Sequence, residues 1–127
     1  MNKILLDSSI IVDFLRIKDK KSTLLHKFVS RNYQLAISII THAELYSGKS
    51  IWEIKSVGDA LGTILSEIQI LPLDENLSKK AGEIRARYGT ELLDAIIAAT
   101  AISKELHLAT LNVKDFEKID GINLLKT

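Results

Sequence analysis

The chain has 127 residues, of which 46% are hydrophobic and 26% charged. That composition supports one packed domain over residues 1–127 and excludes a disordered or collagen-like chain. A net charge of +1 excludes a polycation that coats nucleic acid through a global field, and the lack of cysteine removes disulfides, zinc–thiolate centres and thiol nucleophiles together.

Residues 4–6 form a short apolar run of the kind buried in parallel sheets. Asp7 and Ser8 then open a helix to Leu15, with Ile10, Ile11, Phe14 and Leu15 as its apolar stripe. A lysine-rich turn at 18–21 precedes a second helix carrying Leu24, Leu25, Phe28 and Val29. Residues 35–38 read as a strand, Thr41 begins a helix to about Ser47, and a further helix covers 51–66. Residues 68–71 are a third strand, stopped by Pro72. Asp74 caps a helix over 75–88, and Gly89 is its C′ residue. Residues 92–105 form another helix, 107–110 a fourth strand and 122–124 a candidate fifth.

Short apolar strands alternating with helices predict an α/β fold, with a parallel central sheet of four to five strands and helices on both faces. Ligands of such sheets bind beyond the carboxyl ends of the strands, which places Asp7, the turn before Thr41, and Leu111–Asn112 near one edge. The first six residues are too short for a signal h-region, and the apolar run 95–102 is far below the ~18 residues that span a bilayer. A cytoplasmic protein with no membrane partner is expected.

Three acids stand at chemically interesting places, and each has a plain structural explanation. Asp7 can be the N-cap of the first helix. Thr41 and Glu44 have the spacing of a capping box. Asp94 suits the dipole of its helix's first turn. Yet Asp94 begins an apolar helix, Leu92-Leu93-Asp94-Ala95-Ile96-Ile97-Ala98-Ala99, that reads as buried on nearly every side, and Asp7 lies between two apolar runs. Buried carboxylates cost several kcal/mol unless something compensates them. A shared cation does so, and oxygen ligands favour Mg²⁺ or Mn²⁺ over zinc. Such an ion suits phosphodiester hydrolysis, where it activates water, orients the phosphate and stabilises developing charge.

Four segments in order resemble those of the PIN-domain family, in particular the VapC-like toxins of type II toxin–antitoxin systems. They are Leu5-Leu6-Asp7-Ser8-Ser9-Ile10-Ile11, Thr41-His42-Ala43-Glu44-Leu45-Tyr46-Ser47-Gly48, Leu93-Asp94-Ala95-Ile96-Ile97-Ala98-Ala99-Thr100-Ala101, and Leu108-Ala109-Thr110-Leu111-Asn112-Val113-Lys114-Asp115-Phe116. The resemblance runs from Asp7 to Phe116 and implies a three-layer PIN-like sandwich, a single PIN domain over 1–127, and endonucleolytic cleavage of RNA with Mg²⁺ or Mn²⁺. Carried over position by position, Asp7, Glu44 and Asp94 are the acidic core. Asn112 stands where many relatives carry Asp. Asp115 can supply the missing charge directly or through water, and an Asn112-x-x-Asp115 cap explains that pair equally well. The resemblance also implies an RNA substrate such as tRNA, an antitoxin partner and a homodimer.

Ser9 is a candidate for orienting a ligand, against an ordinary first-turn role. Arg85 and Arg87 can meet phosphate or lie on a solvated helix face. Lys18, Lys20 and Lys21 can touch RNA backbone or form a solvated turn. Ile51 and Trp52 can receive an antitoxin or pack in the core. Gly48-Lys49-Ser50 imitates the end of a P-loop, but Ala43 stands where that pattern needs Gly and the segment closes a helix. His26, His42 and His107 lack metal-ligand spacing. Two other readings stay open: a catalytically weak PIN fold that binds RNA or protein, kept open by Asn112, and a receiver-like signalling domain, which wants an acidic pair where Ser8 and Ser9 follow Asp7.

Overall fold

In the computed structural model, which describes residues 2–126, alternation along three short strands decides the layers. The chain runs β1 (Lys3–Leu6), α1 (Ser8–Arg16), α2 (Leu24–Ser30), β2 (Gln34–Ser38), α3 (Ile39–Tyr46), α4 (Lys49–Glu53), α5 (Lys55–Leu65), β3 (Gln69–Leu71), α6 (Glu75–Tyr88), α7 (Leu92–Ser103) and β4 (His107–Ala109). All pairings are parallel, in the order β3-β2-β1-β4. Ile4 and Leu6 of β1, with Leu35 and Ile37 of β2, pack on Ile10, Ile11, Leu25, Phe28 and Leu61. Leu5, Ala36 and Leu108 point to the other face, onto Leu77, Ala81 and Ile84 of α6 and the alanine-rich flank of α7. Each large aliphatic side chain buried this way contributes about 1.5–3 kcal/mol. A one-residue slip of β1 would exchange the two faces, so the register is firmly specified.

The expected α/β sandwich is therefore present, with four strands among the described residues. The candidate fifth strand at 122–124 reduces to an isolated parallel bridge between Leu108 and Leu124. The helix expected over 51–66 is two helices, α4 and α5, broken at Ile54, which adopts extended backbone angles of −117° and 106°. Gly58 permits this kink, since a Cβ there would lie 2.5 Å from the Ile51 carbonyl oxygen. Helix α7 stops at Ser103, two residues early. Helix α6 behaves as expected: Asp74 accepts the Leu77 N–H at 2.8 Å, and Gly89 closes it in the left-handed region at φ 68°.

Helix α3 begins earlier than expected and is capped by Ser38, whose hydroxyl accepts the Ile40 N–H at 3.1 Å. Thr41 is thus inside the helix and fully buried. The Thr41–Glu44 capping box does not form, so capping does not explain Glu44. Gly48-Lys49-Ser50 opens the five-residue α4 rather than merely closing α3. It follows a helix, not a strand, so the P-loop likeness fails.

Candidate active site

From β1 the chain proceeds to β2 and β3 on one side, while β4 is added on the other. The direction of strand addition therefore reverses at β1, and a crevice opens beyond the carboxyl ends of β1 and β4. Leu6 pairs with Ala109 in the ladder, so the next residues, Asp7 and Thr110, face each other across that crevice.

Asp7 is only 4% exposed. It caps α1, accepting the Ser9 N–H at 2.9 Å on Oδ1, and the same oxygen accepts the Ser9 hydroxyl. Its Oδ2 accepts the Thr110 hydroxyl at 2.5 Å. The capping explanation for Asp7 is realised, and it coexists with a tertiary contact that ordinary capping does not need.

Glu44 projects from α3, half-buried, and its Oε1 is shielded from solvent with no hydrogen-bond partner among the described residues. Burial, then the charges of Asp94 and Asp7, push its carboxyl pKa up. Asp94 lies in the first turn of α7. Burial first, then Asp115, Asp7 and Glu91, push its carboxyl up to about 6. The α7 segment is buried from Ala95 onward, whereas Leu92 and Leu93 are exposed at the site's rim, so Asp94 is half-buried rather than engulfed. Asp7 and Asp94 thus act on Glu44, and Asp115 and Asp7 act on Asp94.

The donor set is all oxygen, one buried carboxylate oxygen lacks a partner among the described residues, and two acids resist ionisation through burial first and then through neighbouring charge. These features fit a hard divalent cation. Among the described residues, no three acidic or histidine side chains already form a preformed metal cage.

Asn112 and Asp115 flank a 3₁₀ turn, Val113–Asp115, and the Asn112 side chain makes no capping bond to it. The Asn112–Asp115 side-chain cap is therefore not formed, and both residues are exposed. Asp115 is the leading charge acting on Asp94.

Several other expected positions resolve into structural roles. Arg85 donates to the Thr90 carbonyl at 2.9 Å, tying down the end of α6, and Arg87 pairs with Glu83 on the helix surface at 3.2 Å. Lys20 donates to the Phe14 and Leu15 carbonyls at the end of α1 and lies over the Phe14 ring. His42 stacks against Tyr46, with ring centroids 4.9 Å apart. Ile51 is partly buried against the core, whereas Trp52 is 73% exposed and anchored by its Nε1 to the Tyr46 carbonyl at 2.7 Å.

Two site features escaped the sequence reading. The sequence places Thr110 at the end of a strand and within the fourth motif without giving it a role, and its position beside Asp7 follows once β4 is paired with β1. A groove of about 560 Å³ leads away from Glu44 and Leu93, lined by Ser8, Arg16, Ser47 and Ile51 among others. Arg16, at the end of α1, brings a cation to the groove wall.

The PIN domain model matches residues 4–122. Ribonuclease VapC10 of Mycobacterium tuberculosis is 34% identical, over 69% of this chain and 67% of that protein. The tRNA(fMet)-specific endonuclease VapC of Salmonella typhimurium is 32% identical, over 98% of this chain and 97% of that one. The crystal structure of DNA-bound VapBC from Salmonella typhimurium superposes with a TM-score of 0.81 at 27% identity, covering 98% of each chain. With nearly its whole length matched in sequence, this chain belongs to the PIN-domain family and, within it, to the VapC group.

Proposed function

We propose that this chain is an endoribonuclease that hydrolyses RNA phosphodiester bonds with Mg²⁺ or Mn²⁺, and that it serves as the toxin of a toxin–antitoxin pair. The observation that supports the reading is a buried Glu44 oxygen without a partner among the described residues, beside the charges of Asp7 and Asp94, with Asp115 acting on Asp94. Asp7, Glu44 and Asp94 would hold the ion, Asp115 would add charge from the rim, and Asn112 would orient substrate or water as an amide. When bound, the cation supplies charge neutralisation at the phosphate and lowers the pKa of water. The net reaction adds water to phosphorus and breaks the P–O3′ bond, leaving 5′-phosphate and 3′-hydroxyl ends. Asp7 stays fixed by its hydrogen bonds, while burial and neighbouring acids raise the Glu44 and Asp94 carboxyls, Asp94 to about 6.

A tRNA is the favoured substrate class, because a curated relative that spans nearly the whole chain is named for tRNA(fMet). The antitoxin is the expected protein partner, since a Klebsiella pneumoniae structure that superposes on this chain is named a toxin–antitoxin complex. The exposed Trp52 and the groove beside Glu44 offer it apolar surface. We take residues 1–127 to act as one domain, in a homodimer, in the cytoplasm. Among the described residues, no helix is long and apolar enough to cross a membrane.

A second reading, a PIN fold that binds RNA or protein with little activity, is favoured by the amide at Asn112 and by the lack of a preformed cage among the described residues. Incubating the protein with total RNA and Mn²⁺, beside Asp94→Asn and an EDTA control, separates the two. Cleavage by the wild type alone supports the nuclease. Equal cleavage in all three samples removes the carboxylate–metal mechanism, and an inert wild type that still retains RNA favours the binding module.

A further inference from the structure

We infer that Arg16 forms a phosphate subsite in the groove beside Glu44, where it takes a backbone phosphate of the RNA about three nucleotides from the bond that is cut. The inference rests on the RNA-directed reading given above and adds where that RNA lies. Ser8, Val12, Leu15 and Arg16 all line the groove. They are spaced i, i+4, i+7 and i+8, so one stripe of α1 forms the wall from the first residue of the helix to the last. The stripe starts next to Asp7 and ends at Arg16, about 12 Å further on at 1.5 Å per residue. A stacked strand advances roughly 3.4 Å per nucleotide, so the wall spans about three.

Charge decides what the far end can hold. At the near end Asp94 and Asp7 act on Glu44, and acids crowded in this way repel a polyanion. A divalent cation offsets that repulsion at the scissile phosphate, but the next phosphates along the strand need a counter-charge of their own. The net charge of +1 supplies no general field, so the counter-charge must be local. Arg16 is the only Lys or Arg that lines the groove, and it is exposed. The ion pairs among the described residues, Lys55–Asp59 and Arg87–Glu83, do not include it. Lys20 already donates to the Phe14 and Leu15 carbonyls, so the negative end of α1 has its cation and Arg16 is left for a ligand. A guanidinium presents a planar fork of N–H donors that matches two phosphate oxygens. Ser50 of α4 adds a hydroxyl to the same lining.

The test reads RNA binding apart from cleavage. Asp94→Asn serves as the non-cleaving parent, and Arg16→Ala, Arg16→Lys or Lys104→Ala is added to it. A fluorescein-labelled single-stranded RNA of about a dozen nucleotides, and unfractionated tRNA, are titrated with MgCl₂ present and between about 50 and 200 mM KCl. Arg16→Ala is expected to weaken binding about five- to tenfold, as loss of one charged hydrogen-bonding group does. It should also reduce the slope of log affinity against log salt by about 0.7, one phosphate's share on a single strand. Arg16→Lys should keep the slope, because the charge remains, and lose part of the affinity. Lys104→Ala, at the far end of α7 from Asp94, should change neither. In the chain that retains Asp94, the loss from Arg16→Ala should fall on KM rather than kcat. Parental affinity and slope in Arg16→Ala, or equal slope losses in Arg16→Ala and Lys104→Ala, overturn the subsite and leave the nuclease reading to wild-type cleavage. RNA held through Arg16 by a wild type that cuts none keeps the subsite and overturns the nuclease. A chain that binds neither RNA overturns both.

Discussion

Two hollows of about 560 Å³ each lie at opposite ends of the same sheet. One sits at the amino ends of the strands, where Lys3, Gln34 and Gln69 begin β1, β2 and β3, with Asn32 and Glu67 beside them. The other sits beyond the carboxyl ends and reaches the acidic cluster through Glu44. Equal size shows that volume does not mark the site. At the amino end, Asn32, Gln34, Glu67 and Gln69 are exposed and Lys3 is partly exposed, so polar side chains of both signs and none face solvent. At the carboxyl end, Arg16 lies on the outer wall, while the half-buried carboxyls of Glu44 and Asp94 feel other acids, and one buried Glu44 oxygen goes without a hydrogen-bond partner among the described residues. Strand direction creates the asymmetry: parallel strands present helix starts, and the acids that suit them, at their carboxyl ends.

The strongest way to break this comparison is to neutralise one acid at each end. Asp94→Asn is expected to lower RNA cleavage about a thousandfold with the fold intact, in line with the loss of a charged group at a transition state. Glu67→Gln, at the amino end, is expected to change the rate less than about twofold, as surface substitutions usually do. Comparable losses from both would erase the distinction drawn between the two hollows.

Next in size is the pH response. The Asp94 carboxyl titrates near 6 in the fold against an ordinary value of 3.8, and Glu44 is also raised. The native state therefore binds more protons than the unfolded chain between about pH 4 and 6. Metal-free stability must fall as pH rises through that window and then stay level. Asp94→Asn should lose much of this fall, so its melting temperature should exceed the wild type's at pH 7 and match it at pH 4. Mn²⁺ competes with the same protons, so its affinity should climb with pH and level off above about 6. A wild type whose metal-free melting temperature rises between pH 4 and 6 would contradict the assignment.

A third change acts on the groove wall. Gly58→Ala places a methyl 2.5 Å from the Ile51 carbonyl oxygen, a contact that backbone must move to relieve. The expected cost is about 1–3 kcal/mol in denaturant unfolding, as for overpacking elsewhere. Gly62→Ala on the same helix has open space at its Cβ and should be neutral to stabilising.

These particulars show what the sequence could and could not convey. The strand ending at Asp7, the Asp74 cap and the Gly89 stop were legible because each is a local device with a short signature. Ser38 as the α3 cap was missed because β2 passes into α3 with no loop between them, so the polar residue ending the strand also starts the helix. The break at Ile54 carries neither Gly nor Pro and was invisible to turn chemistry. The acids of the candidate site could be named one by one, but their mutual repulsion depends on distances between residues far apart in the chain. The Asp7–Thr110 bond joins residues 103 positions apart and emerges only when β4 is set beside β1.

The smallest expected effects sharpen the rim of the acidic cluster, where Asn112 and Asp115 compete for one role. Asp115 is the largest charge raising the Asp94 carboxyl, after burial itself. Asp115→Asn should therefore bring the Asp94 titration down from about 6, a downward shift that carbon-detected NMR of the side-chain carboxyl would follow. If Asp115 also assists the cation, Mn²⁺ affinity should fall severalfold in the same variant, since an exposed charge acts through screened solvent. Asn112→Asp adds a charge at the other end of the same turn and should raise Mn²⁺ affinity by a similar factor. A response to Asp115→Asn with none to Asn112→Asp would give the fourth acidic position to Asp115. The reverse pattern would give it to residue 112 and leave Asp115 as a tuning charge.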